Sequence, residues 1–349
     1  MITIEIFNLL YSILYGIIAL TGFIFATNPK KLSGDKFNGQ IIFIFLLFLF
    51  VLFGSRSFNV GTDTNTYINA FKGQRKIQDI GFRLYIFLIR IFSKNSRVFL
   101  CAMSFLFLLP LGIYFYKTKY KNKYLLFFIF VSMLFFKNIG INIMRQGIAI
   151  SFFLLSLNYY KKKKIFYSLI LFLISISFQY SMVIPVCIFL FSSKLKTIKL
   201  PIICFLFFSV LSIFNFNILS ILNNKITLIN RINYVLNATW IEYRTGFRID
   251  FFIFNTFFVT LGLYFFKQSI NKIPEYKTYL SSYLFTSSIF FLMFPFPYSD
   301  RFGLLSWIFI PFILLPFFHE IKRFKKYGLL ISYAIIFSFN IFFMILENK

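Results

Sequence analysis

Arginine and aspartate side chains stand in three short polar segments of an otherwise apolar chain. The first segment, RSFNVGTDTNTY, contains Arg56 and Asp63, the second begins at Arg145, and the third contains the Asp300-Arg301 pair. A guanidinium group binds phosphate or carboxylate through two parallel hydrogen bonds and keeps its charge at physiological pH. A carboxylate beside it can orient or deprotonate a hydroxyl group. The three segments therefore predict a site that binds an anion and a hydroxyl.

The composition places these segments in a membrane protein. Hydrophobic residues make up 59% of the chain and charged residues only 13%, and the mean hydropathy is +0.79. Soluble domains carry roughly 25% charged residues. Apolar runs recur along all 349 residues with short charged gaps between them, which predicts a single integral membrane domain, 1–349, without a soluble module.

Metal, cofactor and nucleic-acid chemistry find little support in the sequence. Three cysteines stand in apolar runs without CxxC spacing, and His319 is the only histidine. We therefore expect no metal and no cofactor. The formal charge of +27 comes from short basic clusters between apolar runs, which is typical of membrane loops and argues against nucleic acid as a partner.

Hydropathy predicts about ten transmembrane helices. The first apolar run lacks the basic segment of a secretory signal, which predicts that it is retained as a helix. The predicted spans are 4–26, 41–54, 98–116, 124–137, 146–159, 200–222, 250–266, 278–294, 302–318 and 328–346.

Two further apolar stretches are predicted not to cross. Residues 79–92 carry Arg83 and Arg90 on one helical face, which favours a helix lying along the periplasmic membrane surface. Residues 165–192 have two arms of about 12 residues, or about 18 Å each, which is the depth of a re-entrant hairpin. With this hairpin, every lysine cluster faces the cytoplasm and both termini lie outside.

Lysine and arginine are then segregated between the two sides. The predicted inner clusters contain one arginine, Arg323, and the other ten arginines fall on the predicted outer side. Lysine suffices as a topological anchor, whereas arginine forks suit the binding of an anion. An alternative stays open, in which these arginines pair with acidic residues. The candidates are Asp63, Asp79, Glu242, Asp250 and Asp300.

The polar segments resemble those of a known family. The pattern R-x3-V-G-T-D-T-x2-Y-x3-F spans Arg56 to Phe71, R-Q-G-I-A spans Arg145 to Ala149, and F-Q-Y-S surrounds Gln179. These motifs resemble the EpsG-type, Wzy-like polysaccharide polymerases, most closely over residues 40–190. One position departs from the pattern, because many relatives have histidine where this chain has Gln179. Glutamine retains a hydrogen-bonding role there.

The resemblance implies an O-antigen or similar repeat-unit polymerase of the glycosyltransferase type. Such an enzyme acts in the bacterial inner membrane, at the periplasmic face, on undecaprenyl diphosphate-linked oligosaccharide donors and acceptors. It implies an all-α polytopic fold of GT-C-like architecture with periplasmic loops over 55–97 and 223–249. A Wzz-like chain-length regulator and membrane lipid are the further expected partners.

Within such a site, the residues divide into two predicted roles. Catalytic roles fall to residues that stabilise charge on the leaving diphosphate or orient the acceptor hydroxyl, namely Arg145, Arg301, Asp63 and Asp300. Asp63 has the alternative of capping the Gly61–Thr64 turn or pairing with Arg56. Binding of diphosphate or sugar is predicted for Arg56, Arg244, Arg248, Gln146, Gln179 and Tyr67.

Two other functions use the same kind of substrate. A flippase or transporter for lipid-linked oligosaccharides would show paired halves with matching broken helices, and this sequence has a single re-entrant candidate. A ligase-type glycosyltransferase would favour a long outer loop, whereas residues 223–249 form a moderate one. Both alternatives remain open at the level of sequence.

Overall fold

The computed structural model describes residues 2–28, 35–118, 120, 122–133, 135–216, 245–269, 273–317 and 327–347. These residues form an almost wholly helical chain. Apart from an isolated parallel bridge between Ile2 and Arg56, no β-structure is present among them. The predicted all-α class is therefore confirmed.

Sixteen α-helices and two 3₁₀ turns are present in the described part of the chain. In the amino-terminal half they are α1 (Ile4–Thr27), α2 (Asp35–Gly54), α3 (Thr64–Lys72), α4 (Ile80–Phe92), α5 (Ser96–Lys117), α6 (Lys123–Val131), α7 (Phe136–Ile141), α8 (Met144–Lys161), α9 (Ile165–Phe178) and a 3₁₀ turn, Tyr180–Met182. They continue as α10 (Val183–Lys194), α11 (Lys199–Ile213), α12 (Ile249–Ser269), α13 (Tyr276–Leu292), α14 (Asp300–Trp307), α15 (Ile310–Ile313), a 3₁₀ turn, Leu315–Phe317, and α16 (Gly328–Glu347).

The helices pack as two compact units. The first unit comprises Met1–Val183 and Phe317–Lys349, and the second comprises Ile184–Pro316. Each unit has its own buried apolar side chains. The prediction of a single membrane domain stays a prediction.

Five helical segments among the described residues are long and apolar enough to cross a membrane. They are Ile4–Thr27, Lys36–Gly54, Ser96–Lys117, Ile249–Lys267 and Asp300–Phe317. Shorter apolar helices cover Ile165–Phe178, Tyr180–Lys194, Lys199–Ile213 and Gly328–Phe339. The chain is therefore a multi-pass membrane protein, while the count of ten crossings and the GT-C-like architecture stay predictions.

Two predicted spans are interrupted rather than continuous. In the span predicted at 124–137, α6 ends at Val131 and α7 begins at Phe136. In the span predicted at 302–318, α14 ends at Trp307 and α15 starts with Pro311 in its first turn. Proline cannot donate the backbone hydrogen bond that would continue α14. The sequence offers no comparable signal for the break after Val131.

Both stretches that were predicted not to cross are helical. A helix in the stretch 79–92 is confirmed as α4, which buries Phe82, Tyr85 and Ile86. The predicted hairpin consists of α9 and α10, joined by Gln179 and a 3₁₀ turn. The depth of the hairpin in a membrane and the position of α4 along its surface stay predictions.

Helix α8 forms the centre of the first unit. Almost every side chain from Met144 to Asn158 is buried. Small hydroxyl groups let α9 approach closely, because Ser175 Oγ donates to the Ala149 carbonyl at 2.6 Å and Ser168 Oγ donates to the Ser156 carbonyl at 3.1 Å. Small polar residues serve this purpose in membrane helix packing. The pairing fixes α9 antiparallel to α8.

One end of the first unit carries lysines, whereas the other carries arginines together with lysines such as Lys72 in the last turn of α3. At one end, Lys117 Nζ donates to Tyr159 Oη at 2.7 Å and Lys161 Nζ lies 4.2 Å from the Tyr120 ring centroid. We call this end, which also holds Lys123, the lysine end. At the other end, α3, α4 and the start of α8 bring together Arg56, Arg90 and Arg145, and we call it the arginine end. The predicted gathering of arginine at one end is thus present in the described part of this unit, while the side of the membrane that this end faces stays a prediction.

The second unit is organised around a buried polar cluster. Asn255 is fully buried in α12, and its Oδ1 accepts from the hydroxyls of Tyr283, Ser287 and Ser306 at 3.2–3.3 Å. These donors come from α13 and α14. Hydrogen bonds between buried polar side chains hold apolar helices in register where no water competes.

Candidate active site at the arginine end

Arg145 lies in the first turn of α8 and pairs with Asp79. One Nη of its guanidinium donates to Asp79 Oδ2. The Arg145 side chain is 28% exposed and the Asp79 side chain 8%, and the Arg145 Cζ lies 5.9 Å from the Phe82 ring centroid. The amino-terminal end of an α-helix also favours an anion through its peptide dipoles. The Arg145 guanidinium and the amino-terminal end of the α8 dipole therefore both contribute positive potential at the start of α8.

Asp79 joins three segments of the first unit. Besides Arg145, its carboxylate accepts from the Tyr180 backbone N–H through Oδ1 at 3.3 Å. Tyr180 in turn donates its hydroxyl to the Gln78 carbonyl at 3.0 Å. The turn between α9 and α10 is thereby held against the start of α4. Sequence reasoning considered Asp79 only as one of several partners for arginine, since its position before a predicted helix gives no sign of this contact.

Tyr67 faces Arg145 from α3. Its side chain is 2% exposed. Burial raises the pKa of the Tyr67 phenol, while the Arg145 guanidinium opposes that rise and Asp63 adds to it. Tyr67 therefore stays a neutral hydroxyl at physiological pH and can donate or accept a hydrogen bond.

Asp63 precedes α3, and its carboxylate does not hydrogen-bond to the backbone at the start of that helix. It occupies the cap position of α3 but makes no capping hydrogen bond with its side chain. The predicted alternative of a turn-capping Asp63 is therefore wrong. Pairing with Arg56 is also not observed, because the described hydrogen bonds of Arg56 go to other groups.

Arg56 lies inside the protein, where it binds backbone. Its residue exposure is 3%, and its guanidinium donates to the Phe53 carbonyl at 2.5 Å and to Met144 Sδ at 3.0 Å. Longer contacts of 3.5 Å reach Thr64 Oγ1 and the Ile141 carbonyl. Burial lowers the pKa of Arg56 to about 10, so the group remains charged at neutral pH. These contacts give Arg56 a role in joining α2 to the start of α8; direct contact with a substrate stays a prediction.

Glycines permit close approach around the site. Gly61 has φ of +90°, and a Cβ placed there would lie 2.6 Å from Asn142 Oδ1. Gly147, in the RQG segment, would bring a Cβ within 2.5 Å of the Ile139 carbonyl. The glycines of the GTD and RQG segments therefore pack both segments against the connection between α7 and α8.

The two predicted glutamines are chain neighbours of residues in this site, Gln146 of Arg145 and Gln179 of Tyr180. Gln146 follows Arg145 and is 4% exposed. Gln179 is half-buried at the end of α9, where its carbonyl accepts from the Met182 N–H at 3.0 Å. Gln146 thus adjoins Arg145 in sequence, and Gln179 adjoins Tyr180, whose backbone N–H binds Asp79. Contact of either glutamine with sugar stays a prediction.

The second unit holds a further arginine pair. Arg248 binds Asp250 through two hydrogen bonds, Nη2 to Oδ2 at 2.6 Å and Nε to Oδ1 at 3.0 Å. Its Cζ lies 4.3 Å from the Phe251 ring centroid. This pairing follows the alternative in which outer arginines neutralise nearby acids. Arg244, predicted to act beside Arg248, lies outside the described residues.

Asp300 and Arg301 begin α14 in the same unit. Arg301 is exposed, and its Cζ lies 4.7 Å from the Tyr298 ring centroid. Tyr298 has φ of +62°, which is unusual for a residue with a side chain. The Arg301 backbone N–H donates to the Tyr298 carbonyl at 3.1 Å. The sharp turn at Tyr298 therefore fixes the backbone position of Arg301 at the start of α14.

The predicted residues therefore divide between the two units. Arg56, Asp63, Tyr67 and Arg145 belong to the first unit, whereas Arg248, Asp300 and Arg301 belong to the second. Convergence of Arg145 and Arg301 on one anion stays a prediction. Within the described ranges, no three histidine, cysteine, aspartate or glutamate side chains form a metal-binding group.

A helical chain with several membrane-length apolar segments is a polytopic membrane protein, and this one has an arginine–carboxylate pair at one end of its first unit. The sequence profile of the EpsG family matches residues 40–348, and the chain belongs to this family. The match extends beyond the motifs at 40–190 and includes both units. No curated protein and no solved structure matched the chain.

Proposed function

We propose that this protein is a repeat-unit polymerase. It joins oligosaccharides carried on undecaprenyl diphosphate, as in O-antigen synthesis, by glycosyl transfer with the lipid diphosphate as leaving group. Membership of the EpsG family supports a polysaccharide-forming role. The observation that carries the proposal is the partly exposed guanidinium of Arg145 at the start of α8, which pairs with Asp79 beside Tyr67.

The proposed reaction is a displacement at the anomeric carbon of the donor sugar. A hydroxyl oxygen of the acceptor forms the new bond to that carbon while the bond from the carbon to the diphosphate oxygen breaks. The bonding electron pair leaves with the diphosphate, and the hydroxyl proton passes to a carboxylate or to water. Because diphosphate is already a good leaving group, the main demand is to stabilise its growing negative charge.

Arg145 meets this demand in the proposal. Its planar fork binds two diphosphate oxygens, and the helix dipole of α8 adds to the positive potential. Asp79 is the counter-ion that holds Arg145 in place before the substrate arrives. Arg301 supplies a second cation, with Arg244 and Arg248 next to it in importance.

The remaining residues bind and orient the sugars. Asp63 is the proposed carboxylate for the acceptor hydroxyl, because its side chain makes no capping hydrogen bond to the backbone of α3. Asp300 is the alternative in the second unit. Tyr67, Gln146 and Gln179 supply neutral hydrogen-bonding groups, and Arg56 supports the site through its backbone contacts.

The positive-inside rule orients the protein in this proposal. The lysine end of the first unit faces the cytoplasm and the arginine end faces the periplasm of the bacterial inner membrane. Donor and acceptor then reach the site from the outer leaflet. A Wzz-like chain-length regulator and membrane lipid are the proposed partners.

Deletion of the protein in its own host tests the proposal. We expect surface polysaccharide to stop at one repeat unit, and single-repeat undecaprenyl diphosphate to accumulate on the outer side of the membrane. Accumulation of the same lipid on the inner side would instead indicate a flippase. Full-length polymer left unattached to its final acceptor would indicate a ligase.

A further inference from the structure

A long apolar groove runs between α2 and α5 in the first unit. It has a volume of about 570 Å³, which is within the range of small-molecule sites. One wall is formed by α2 and the other by α5. Its lining includes Gly39, Phe43, Phe50, Phe105, Gly112 and Lys117.

Two glycines stand in the walls of the groove, where a larger side chain would meet the opposite helix. A Cβ at Gly112 would lie 3.0 Å from Leu46 Cδ1, and a Cβ at Gly39 would lie 3.7 Å from the Tyr116 ring. Both helices are candidate membrane spans, and Phe43 and Phe105 are exposed along the groove. In a bilayer these apolar surfaces meet lipid chains, not water.

The groove is polar at one end, which is the lysine end. Lys117 and Tyr116 close the wall formed by α5. Lys36 stands one helical turn before Gly39 and so lies on the same face of α2. The opposite end, at Phe50 and Phe105, has no charged residue in its lining.

The groove's length matches one leaflet. From Gly39 to Phe50 it extends about 16 Å at 1.5 Å per residue. Half of a hydrocarbon core of about 30 Å is about 15 Å. A lipid whose acyl chain fills the groove therefore places its headgroup phosphate level with Lys36 and Lys117.

We propose that this groove binds one anionic phospholipid, with an acyl chain between α2 and α5 and the phosphate on Lys36 and Lys117. The charge at the lysine end selects an anionic headgroup. A polyprenyl diphosphate is not the occupant, because its diphosphate belongs at Arg145, at the arginine end. The exclusion of the polyprenyl lipid rests on the proposed function, whereas phospholipid binding itself needs only a membrane-embedded first unit.

Native mass spectrometry of the full-length protein tests this site. The protein is reconstituted with equal amounts of phosphatidylglycerol and phosphatidylethanolamine and released from detergent with increasing collision energy. We expect one phosphatidylglycerol to be retained by the wild type. Gly39→Phe fills the groove and should abolish retention, while Gly16→Phe, on the membrane-facing α1 where an added Cβ meets nothing within 4 Å, should not.

A second variant separates the effect of the lysine charge on lipid binding from the effect of the groove's shape. Lys36→Gln should lower the preference for phosphatidylglycerol about fivefold, which corresponds to about 1 kcal/mol for one basic residue near a lipid surface, while leaving the groove open. If Gly39→Phe fails to fold, this variant still decides the question. Equal retention of both lipids by the wild type, unchanged preference in Lys36→Gln, or a retained mass of a polyprenyl lipid would overturn the proposal.

Discussion

The guanidinium of Arg145, in the first turn of α8, forms an ion pair with the carboxylate of Asp79, which precedes α4. The two residues are 66 positions apart in the sequence. The pair links the two helices and also holds the turn at Tyr180. An anion that binds Arg145 must therefore compete with Asp79, and this competition gives the site a measurable signature.

Neutralising Asp79 should strengthen the binding of diphosphate. Asp79→Asn keeps an oxygen that can accept from Arg145 and from the Tyr180 N–H, but it removes the competing charge. We expect inorganic pyrophosphate to inhibit polymerisation by the variant at about tenfold lower concentration, since a removed like charge contributes about 1–2 kcal/mol in a partly buried site.

The comparison for Asp79→Asn is Asp79→Ala, which removes the oxygens as well. That variant should lose turnover through disorder of the Tyr180 turn, without a matching gain in pyrophosphate affinity. An inhibition constant that is the same in Asp79→Asn and in the wild type would show that Asp79 does not compete with the anion.

Arg56 should matter for stability more than for the chemical step. Arg56→Met removes the buried side-chain donor to the Phe53 carbonyl and leaves the Ile141 carbonyl with the Thr64 hydroxyl as its side-chain donor. We expect a loss of about 2–4 kcal/mol in the free energy of unfolding, measured as a lower melting temperature in detergent. The matched control is Arg83→Gln on the exposed side of α4, which should melt like the wild type.

The lowered pKa of Arg56 also predicts how this residue affects the pH dependence of stability. Burial lowers its pKa from the ordinary arginine value to about 10. Both values lie above neutral pH, so folded and unfolded states carry the same proton and Arg56 adds no pH dependence to stability between pH 6 and 8. Above about pH 10 the unfolded state binds more protons, and the contribution of this group to stability then rises with pH.

Gly147 should not tolerate a methyl group. A Cβ there would lie 2.5 Å from the Ile139 backbone carbonyl, which cannot move without shifting α7 against α8. We expect Gly147→Ala to lower the stability by about 1–3 kcal/mol and to shorten the polysaccharide. Gly16→Ala is the control, since its Cβ meets nothing within 4 Å. A Gly147→Ala variant with normal melting and normal chain length would contradict this packing.

The reaction should proceed without a divalent metal ion. Arginine is proposed to supply the positive charge that a metal supplies in other diphosphate chemistry. Purified protein treated with EDTA should therefore polymerise lipid-linked repeats at the untreated rate. Loss of activity with EDTA that Mg²⁺ or Mn²⁺ restores would contradict the prediction.

Local features of the sequence predicted much of the fold. Long apolar runs mark helices directly, because a bilayer requires about 20 apolar residues and satisfied backbone groups. The stretch at 79–92 was likewise predicted as a helix, and it is α4; its position along the membrane surface stays a prediction. The break after Val131 was not evident, because no proline or glycine pair marks it and packing decides where α6 ends.

The site was predictable in residue type but not in pairing. GTD and RQG indicated which segments meet, and the structure places both segments of the first unit at the arginine end. Contacts between distant segments were beyond sequence reasoning, so Asp79 was missed as the partner of Arg145. The same limit concealed that Arg56 turns inward to backbone carbonyls, because an arginine after an apolar run can face either way.

The activity of Arg145→Lys tests the central claim most directly. Lysine keeps the charge at the start of α8 but replaces a planar fork by a point charge. In a strain that lacks the native gene, with both proteins at equal membrane abundance, the account predicts that polysaccharide made with the variant stops at one or a few repeats, corresponding to a loss of about 100-fold or more. Polymer of near wild-type length from Arg145→Lys would show that Arg145 does not hold the leaving diphosphate.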